Sequence, residues 1–177
     1  GAGVDRLVTY APLVRGNEDP EAVHQARVAT RRLRADLGTF RSVLEPAWTT
    51  RLRSELAWLG AQFGVVRDGD VLLARLGPLI GELPPLERGP ARRVLARISD
   101  ERSRAREALL ADLVGDRYTT LLDELVHAAR APRFRSDAHP ARRAAKPAAQ
   151  MEAQSWRRLQ RTVVQTTKRS SAGDAEF

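Results

Sequence analysis

Four basic side chains in the segment 23–34 recur at intervals that place them on one side of a helix. They are His24, Arg27, Arg31 and Arg34, at spacings of three, four and three residues. At about 100° per residue these four side chains fall within an arc of about 80°, with neighbours one helical turn apart. A guanidinium binds two phosphate oxygens at once through its planar fork. This set, called the basic ladder below, therefore predicts binding of a linear polyanion that carries phosphates at comparable spacing.

The same helix carries an apolar stripe directly beside the ladder, formed by Val23, Ala26, Thr30, Leu33, Leu37, Phe40 and Leu44. Since the stripe packs against partner helices, we expect the ladder to lie at the edge of a groove between helices. Two other interpretations stay open. The ladder is a solvated helix face, or carboxylates of a neighbouring helix neutralise it. Arg32 points to another side of the helix, and His24 taken alone also fits a structural histidine.

A second group of charged residues, Arg67, Asp68 and Asp70, lies within the segment 59–71. Two aspartates beside an arginine raise the question of a metal site, but residues i and i+2 of a helix diverge and share an ion poorly. We therefore expect one aspartate to brace a ladder arginine from the adjacent helix and fix its direction. An ordinary surface ion pair and a metal site remain the alternatives.

Helix-start and helix-stop residues predict a chain of long antiparallel helices that position these groups. Asp19 as N-cap and Pro20 at the first helical position begin the helix that carries the ladder, and Pro46 limits that helix to about Glu45. Gly64 is a candidate bend in the next helix. The predicted helices cover 3–15, 20–45, 47–76, 90–114, 118–130 and 147–164, with a loop at 77–90. No segment shows strand alternation, so the fold class is an all-α antiparallel helical bundle.

Composition excludes several function classes. The 177 residues include no cysteine, which rules out disulfide scaffolds, thiol nucleophiles, cysteine-ligated zinc and iron–sulfur clusters. The three histidines, His24, His127 and His139, lie far apart in sequence and predict no metal cluster. No phosphate-binding loop, dinucleotide fingerprint, zinc-protease motif or nucleophile elbow occurs. We therefore expect no catalysis, no cofactor and no metal.

The net charge of +8 at pH 7 favours a polyanionic partner. Much of the excess lies in residues 131–177, which carry ten basic and four acidic side chains. A nucleic-acid-binding helical protein is the alternative function. It is less favoured because aromatic residues make up only 5% of the chain, which leaves few stacking platforms for bases. The chain carries no apolar run of membrane-spanning length and no signal peptide, so we expect a cytoplasmic protein without membrane attachment.

The segment Val23–Arg34, followed by Phe40, strongly resembles the first signature of the CHAD family, the conserved histidine α-helical domain. The segment 59–71, with Val66-Arg67-Asp68-Gly69-Asp70-Val71, resembles the second signature, and the pattern Tyr118…Leu121-Leu122…Leu125 also fits. The resemblance covers residues 7–165. It implies two pseudo-symmetric four-helix halves around a basic groove or pore that binds inorganic polyphosphate. By motif position, His24, Arg27, Arg31 and Arg34 face the anion, and Arg32 also matches a basic position.

The resemblance further implies partnership with triphosphate-tunnel (CYTH) phosphohydrolases and a location in the cytoplasm or on polyphosphate granules. An accessory module that positions such a phosphohydrolase is therefore a second alternative function. Such domains carry a second His/Arg/Lys helix, which the chain does not reach. We therefore predict a CHAD-like domain over residues 1–165 that resembles the first half and a little more, incomplete at both ends. Residues 166–177 are predicted to form a polar, disordered tail. The half left open would expose apolar surface, and a dimer would complete the bundle.

Overall fold

The computed structural model describes residues 2–16 and 19–136 of the chain. The helices named below belong to one compact unit, Gly1–Arg133. Within the described residues the chain forms five α-helices and one short 3₁₀ helix, Pro78–Glu82, and no β-strand. The α-helices are α1 (Ala2–Gly16), α2 (Pro20–Thr39), α3 (Pro46–Leu76), α4 (Pro85–Asp112) and α5 (Asp116–Arg130). The predicted all-α fold class is confirmed.

Helix α2, which carries the basic ladder, begins where the sequence predicts. The Asp19 carboxylate accepts a hydrogen bond of 2.9 Å from the backbone N–H of Glu21, and Pro20 occupies the first helical position. The predicted end at Glu45 is wrong, because the helix ends at Thr39. The chain turns at Phe40, whose carbonyl accepts from the backbone N–H groups of Val43 and Leu44.

Because α2 ends before Glu45, this residue is available as the N-cap of α3. Its carboxylate accepts hydrogen bonds from the backbone N–H groups of Ala47 and Trp48, at 3.0 and 3.1 Å. Glu45 has extended backbone geometry as the N-cap of α3. It therefore does not have the helical geometry that the last residue of α2 would need. Helix α3 then continues without a break through Gly64; a bend of the helix axis at Gly64 stays a prediction.

The segment predicted to be a loop, 77–90, is mostly helical. It contains the 3₁₀ helix and the first turn of α4, which begins at Pro85 and has Pro90 inside it. Two prolines mark candidate helix starts here, and the earlier one, Pro85, takes the first helical position, where its missing N–H costs nothing. The predicted inner side of α4 is correct for Leu109 and Leu113, which are buried, but wrong for Val94, which is 57% exposed.

Helix α3 lies at the centre of the unit and packs against α2, α4 and α5, while α1 packs against α2 and α5. Its apolar face supplies much of the core, with Leu52, Leu56, Leu59, Phe63 and Val66 fully buried. At about 25 cal/mol per Å² of apolar surface, each of these side chains stabilises the unit by about 2 kcal/mol. Helix α3, against which the ladder helix packs, is thus anchored in the core.

A charged cluster joins α4 to the rest of the core. Arg102 on α4 donates a hydrogen bond of 2.8 Å from Nε to Asp70 on α3, and both side chains are largely buried. A neighbouring glycine, Gly69, permits this close packing, since a Cβ there would lie only 2.8 Å from the Cβ of Arg102. Arg106, one turn further along α4, donates from Nη2 to the Val14 carbonyl at the end of α1.

Helix α5 is joined to α3 by ion pairs near the start of α3. Arg117 donates two hydrogen bonds to the Glu55 carboxylate, at 2.7 and 3.2 Å, and stacks 3.9 Å from the ring centre of Trp58. The hydrogen bond to Glu55 raises the pKa of Arg117. Burial raises the pKa of Tyr118, against an opposing effect of the Arg15 charge, so this phenol stays neutral in the core.

Several large apolar side chains of the described unit are nevertheless exposed, among them Val65, Leu72, Leu79, Leu86 and Val94. No described helix is both long enough and apolar enough to span a membrane. The predicted helix at 147–164 and the predicted disordered tail at 166–177 lie outside the described residues. The predicted domain boundary at residue 165 likewise stays a prediction.

Candidate polyanion-binding site

The four ladder residues all lie within the regular part of α2. Arg31 and Arg34 are exposed, whereas His24 and Arg27 are partly buried. The residues that alternate with them toward the core, Val23, Ala26 and Thr30, are buried. The ladder therefore lies at the border between the packed face of α2 and the solvent, as expected for the edge of a groove.

Arg27 is held by two features of α3. Its guanidinium lies over Gly64, where an added Cβ would lie 3.6 Å from the Arg27 Nε. Its Nη1 donates to the Asp68 carboxylate at 3.3 Å, one helical turn further along α3. The side chains of Arg27 and Asp68 are 43% and 68% exposed, so the pair lies at the surface and is weak. Asp68 orients Arg27 without removing it from solvent.

The other members of the ladder differ from Arg27 in having no carboxylate beside them. Within the described part of the chain, no hydrogen bond or ion pair is made by the side chains of His24, Arg31 or Arg34. Neutralisation by a neighbouring helix, one of the alternatives drawn from the sequence, therefore applies to Arg27 alone. The side chains of His24, Arg31 and Arg34 are available to a ligand.

Arg32 lies on a different side of α2 from the ladder. Together with Gly3, Arg6, Ala29 and Asp36 it lines an open cavity of about 250 Å³ between α1 and α2. The sequence places it about 100° from Arg31, and the structure places it toward α1, whereas Arg27 faces α3. Its place among the polyphosphate-binding residues, implied by the family motif, remains a prediction.

The two aspartates of the second signature have separate partners. Asp68 contacts the ladder, whereas Asp70 is buried and pairs with Arg102 of α4. Arg67 is partly buried and makes no hydrogen bond or ion pair among the residues that the structure describes. The i, i+2 divergence that argues against a shared metal ion sends the two carboxylates to different neighbouring helices.

Small residues of α3 line the side that faces the ladder. A Cβ on Gly60 would lie 3.2 Å from the Thr30 Oγ1, and Gly64 packs under Arg27. Further toward the start of α3, the Arg53 guanidinium lies 3.5 Å from the position of a Cβ on Gly38. These three contacts define an antiparallel register between α2 and α3. Sequence reasoning missed this side of α3, although glycines one turn apart indicate a close approach.

No group of three or more histidine, aspartate or glutamate residues in the described ranges could hold a metal ion. The arrangement consists of guanidiniums, one imidazole and one exposed carboxylate on two adjacent helices. Such a set can hold a multivalent anion by charge-assisted hydrogen bonds.

A family model of the CHAD domain matches residues 1–176. The chain belongs to the CHAD family. Two solved structures are similar to it. The structure of PptA from Streptomyces chartreusis has a TM-score of 0.67 and 25% sequence identity, and the match covers 78% of this chain and 50% of that one. The CHAD domain from the plant Ricinus communis has a TM-score of 0.56 and 34% identity, over 70% of this chain and 40% of that one.

The chain thus spans about half the length of the solved proteins that it matches. No curated protein sequence matches it significantly. CHAD domains are linked to polyphosphate and to triphosphate-tunnel proteins, and are in general non-catalytic modules. Within this CHAD domain, the basic ladder belongs to the first signature and Asp68 to the second.

Proposed function

We propose that this CHAD domain binds inorganic polyphosphate without covalent chemistry, through the basic ladder of α2. The observation that carries the proposal is the ladder itself. Three of its four cationic or titratable side chains, His24, Arg31 and Arg34, lack a counter-charge among the described residues. Family membership supports the same ligand class.

The binding mechanism follows from charge spacing. Neighbouring ladder residues are separated by about 5 Å along the helix axis, and like charges at this spacing repel by a few tenths of a kcal/mol per pair. A polymer with a negative charge on each phosphate replaces this repulsion by attraction at every ladder residue. Since binding releases counterions from the polymer, the affinity falls as the salt concentration rises.

Removal of two ladder arginines tests the proposal. Arg31→Ala combined with Arg34→Ala removes two guanidiniums that are exposed and have no partner among the described residues. Each charge-assisted hydrogen bond contributes about 1.5–3 kcal/mol, so the double variant should lose polyphosphate affinity by about a hundredfold. The affinity is measured by isothermal titration calorimetry with long-chain polyphosphate.

The matched control removes the same charge elsewhere. Arg92→Ala combined with Arg93→Ala takes two exposed arginines from α4, and the affinity should change by less than about threefold. A third variant replaces Lys168 and Arg169, the two basic residues of the segment 166–177, by alanine. If this change weakens binding more than the ladder double variant, diffuse attraction to the tail accounts for binding and the ladder mechanism is wrong.

Three further assignments form part of the proposal. The partners are inorganic polyphosphate and a CYTH phosphohydrolase domain, with a second copy of the chain as an additional partner, and the location is the cytoplasm or a polyphosphate granule.

Nucleic acid is the competing ligand, and the described aromatic side chains favour it little. Trp48, Phe63 and Tyr118 are buried, and Trp58 is covered by Arg117. The exposed rings among the described residues are those of Phe40 and Phe134, so few rings are free to stack on bases.

A further inference from the structure

The basic ladder has a position at which α2 supplies no side chain. The spacing of three and four residues that links His24, Arg27, Arg31 and Arg34 continues to residue 38, which is a glycine. At about 100° per residue, Gly38 falls in the middle of the ladder's arc. From the sequence alone, the ladder therefore stops at Arg34.

An arginine of α3 occupies this position instead. A Cβ on Gly38 would lie 3.5 Å from both Cζ and Nη2 of Arg53, and 3.7 Å from its Nε. The guanidinium thus lies over the bare backbone of α2, where the next ladder side chain would begin. The same antiparallel register brings Gly64 to Arg27, so Arg53 and Arg27 lie on the same side of the α2–α3 pair.

Arg53 has an uncompensated charge. Its Nε is buried and has no hydrogen-bond partner, and no carboxylate pairs with it among the residues that the structure describes. Arg51, two residues earlier on α3, differs, since it is paired with Glu124 of α5 at 2.6 Å. A partly buried guanidinium without a counter-charge is unfavourable, and an anion placed over Gly38 would supply that charge.

We infer that Arg53 is a further polyphosphate-binding residue, which extends the basic ladder from α2 onto α3 at Gly38. This inference rests on the proposed function. The extended track runs from residue 24 to the level of residue 38, about 21 Å at 1.5 Å per residue. Its two ends are set by different helices, so the packing of α2 on α3 fixes the length of this track.

A pair of substitutions at Gly38 tests the inference without removing Arg53. Gly38→Glu places a carboxylate against the guanidinium and neutralises it, while Gly38→Gln adds a side chain of the same size without charge. Both replace glycine in a helix by a residue with better helix propensity, and the added Cβ is at an ordinary contact distance from Arg53. Polyphosphate affinity should fall about tenfold for Gly38→Glu and less than about threefold for Gly38→Gln. Because a carboxylate at position 38 also lies one turn from Arg34 and repels the polymer, Gly38→Glu is repeated in the Arg53→Gln chain, where the loss that it causes should be several-fold smaller. An equal loss in that chain would show that Arg53 does not account for the effect.

Arg53→Gln provides an independent variant, with Arg92→Gln on α4 as the charge-matched control. We expect about a tenfold loss of affinity for Arg53→Gln and less than about a threefold loss for the control. The slope of log affinity against log salt concentration should fall by about one for Arg53→Gln. Circular dichroism and thermal melting establish which variants are folded, and if Arg53→Gln is not, Arg53→Met, which keeps an apolar stem of similar length, takes its place in both comparisons.

The outcomes separate this inference from the proposed function. If the Arg31/Arg34 double variant loses affinity while Arg53→Gln and Gly38→Glu keep it, Arg53 is not a binding residue and the proposed function stands. Equal losses for Gly38→Glu and Gly38→Gln show an effect of bulk and also overturn the inference. If the Arg31/Arg34 double variant binds as the unchanged protein does, the proposed function itself fails.

Discussion

At the scale of single residues, the ladder arginines are distinguished by their neighbours. Arg27 is oriented by Gly64 and Asp68, while Arg31 and Arg34 have no carboxylate beside them in the described part of the chain. An exposed ion pair contributes less than about 1 kcal/mol. A phosphate that displaces Asp68 from Arg27 therefore loses little free energy of binding to that competition.

Two adjacent arginines allow a direct test of which side of α2 binds. Arg31→Gln and Arg32→Gln change the same charge at neighbouring positions, but Arg31 belongs to the ladder and Arg32 lines the cavity beside α1. We expect Arg31→Gln to lower polyphosphate affinity about tenfold and Arg32→Gln about twofold. Calorimetric titration measures both.

Equal losses for these two variants would contradict the ladder. They would indicate that binding responds to total charge near α2 and not to the side from which a guanidinium projects. A larger loss for Arg32→Gln would assign binding to the side of α2 that faces α1.

The sequence indicated that one aspartate of the second signature reaches a ladder arginine, but it could not decide which. Asp68 and Asp70 are both close to Arg67 in sequence, and the choice depends on the register between α2 and α3. That register is set by the contacts of Gly60 and Gly64 with α2. Such contacts are tertiary, so helical periodicity alone does not contain them.

At the scale of helices, capping residues predicted the start of α2 but not its end, and not the start of α4. Asp19 and Pro20 correctly mark the start of α2. The end of α2 was predicted too late because Glu45, a helix-compatible residue by pattern, is used as the N-cap of α3. The start of α4 was predicted too late because Pro85 and Pro90 are both admissible near a helix start.

The structure also predicts that the two aspartates of the second signature, Asp68 and Asp70, contribute differently to the free energy of unfolding. Asp70→Asn leaves Arg102 without its partner in a largely buried pair, and should lower the free energy of unfolding by about 3 kcal/mol. Asp68→Asn removes an exposed pair, and should change it by less than about 0.5 kcal/mol. Urea denaturation followed by circular dichroism measures both.

Asp68→Asn is the matched control for Asp70→Asn, because the same substitution is made two residues apart on one helix. Equal destabilisation by the two variants would contradict the assignment of Asp70 to the α3–α4 interface and of Asp68 to the surface. Restoration of stability by Arg102→Met in the Asp70→Asn background would support it, since the uncompensated charge is then removed.

At the scale of the whole molecule, the net charge and the arrangement of the ladder contribute separately to polyanion binding. The net charge of +8 attracts any polyanion, whereas the ladder offers cations at fixed spacing on a helix that is packed against α3. The all-α architecture and the ladder side of α2 were predictable from periodicity and motif spacing. The pairing of α2 with α3 through glycines, and thus the contribution of Arg53, required the tertiary structure.

The most direct test of the central claim compares two polyanions on the unchanged chain. Long-chain polyphosphate and duplex DNA are titrated by isothermal calorimetry at about 150 mM salt, where diffuse attraction is largely screened. The ladder predicts tight binding of polyphosphate and weak binding of DNA. Equal affinity for both polymers, from a protein that a thermal melt shows to be folded, would contradict the claim that spaced guanidiniums on α2 select the ligand.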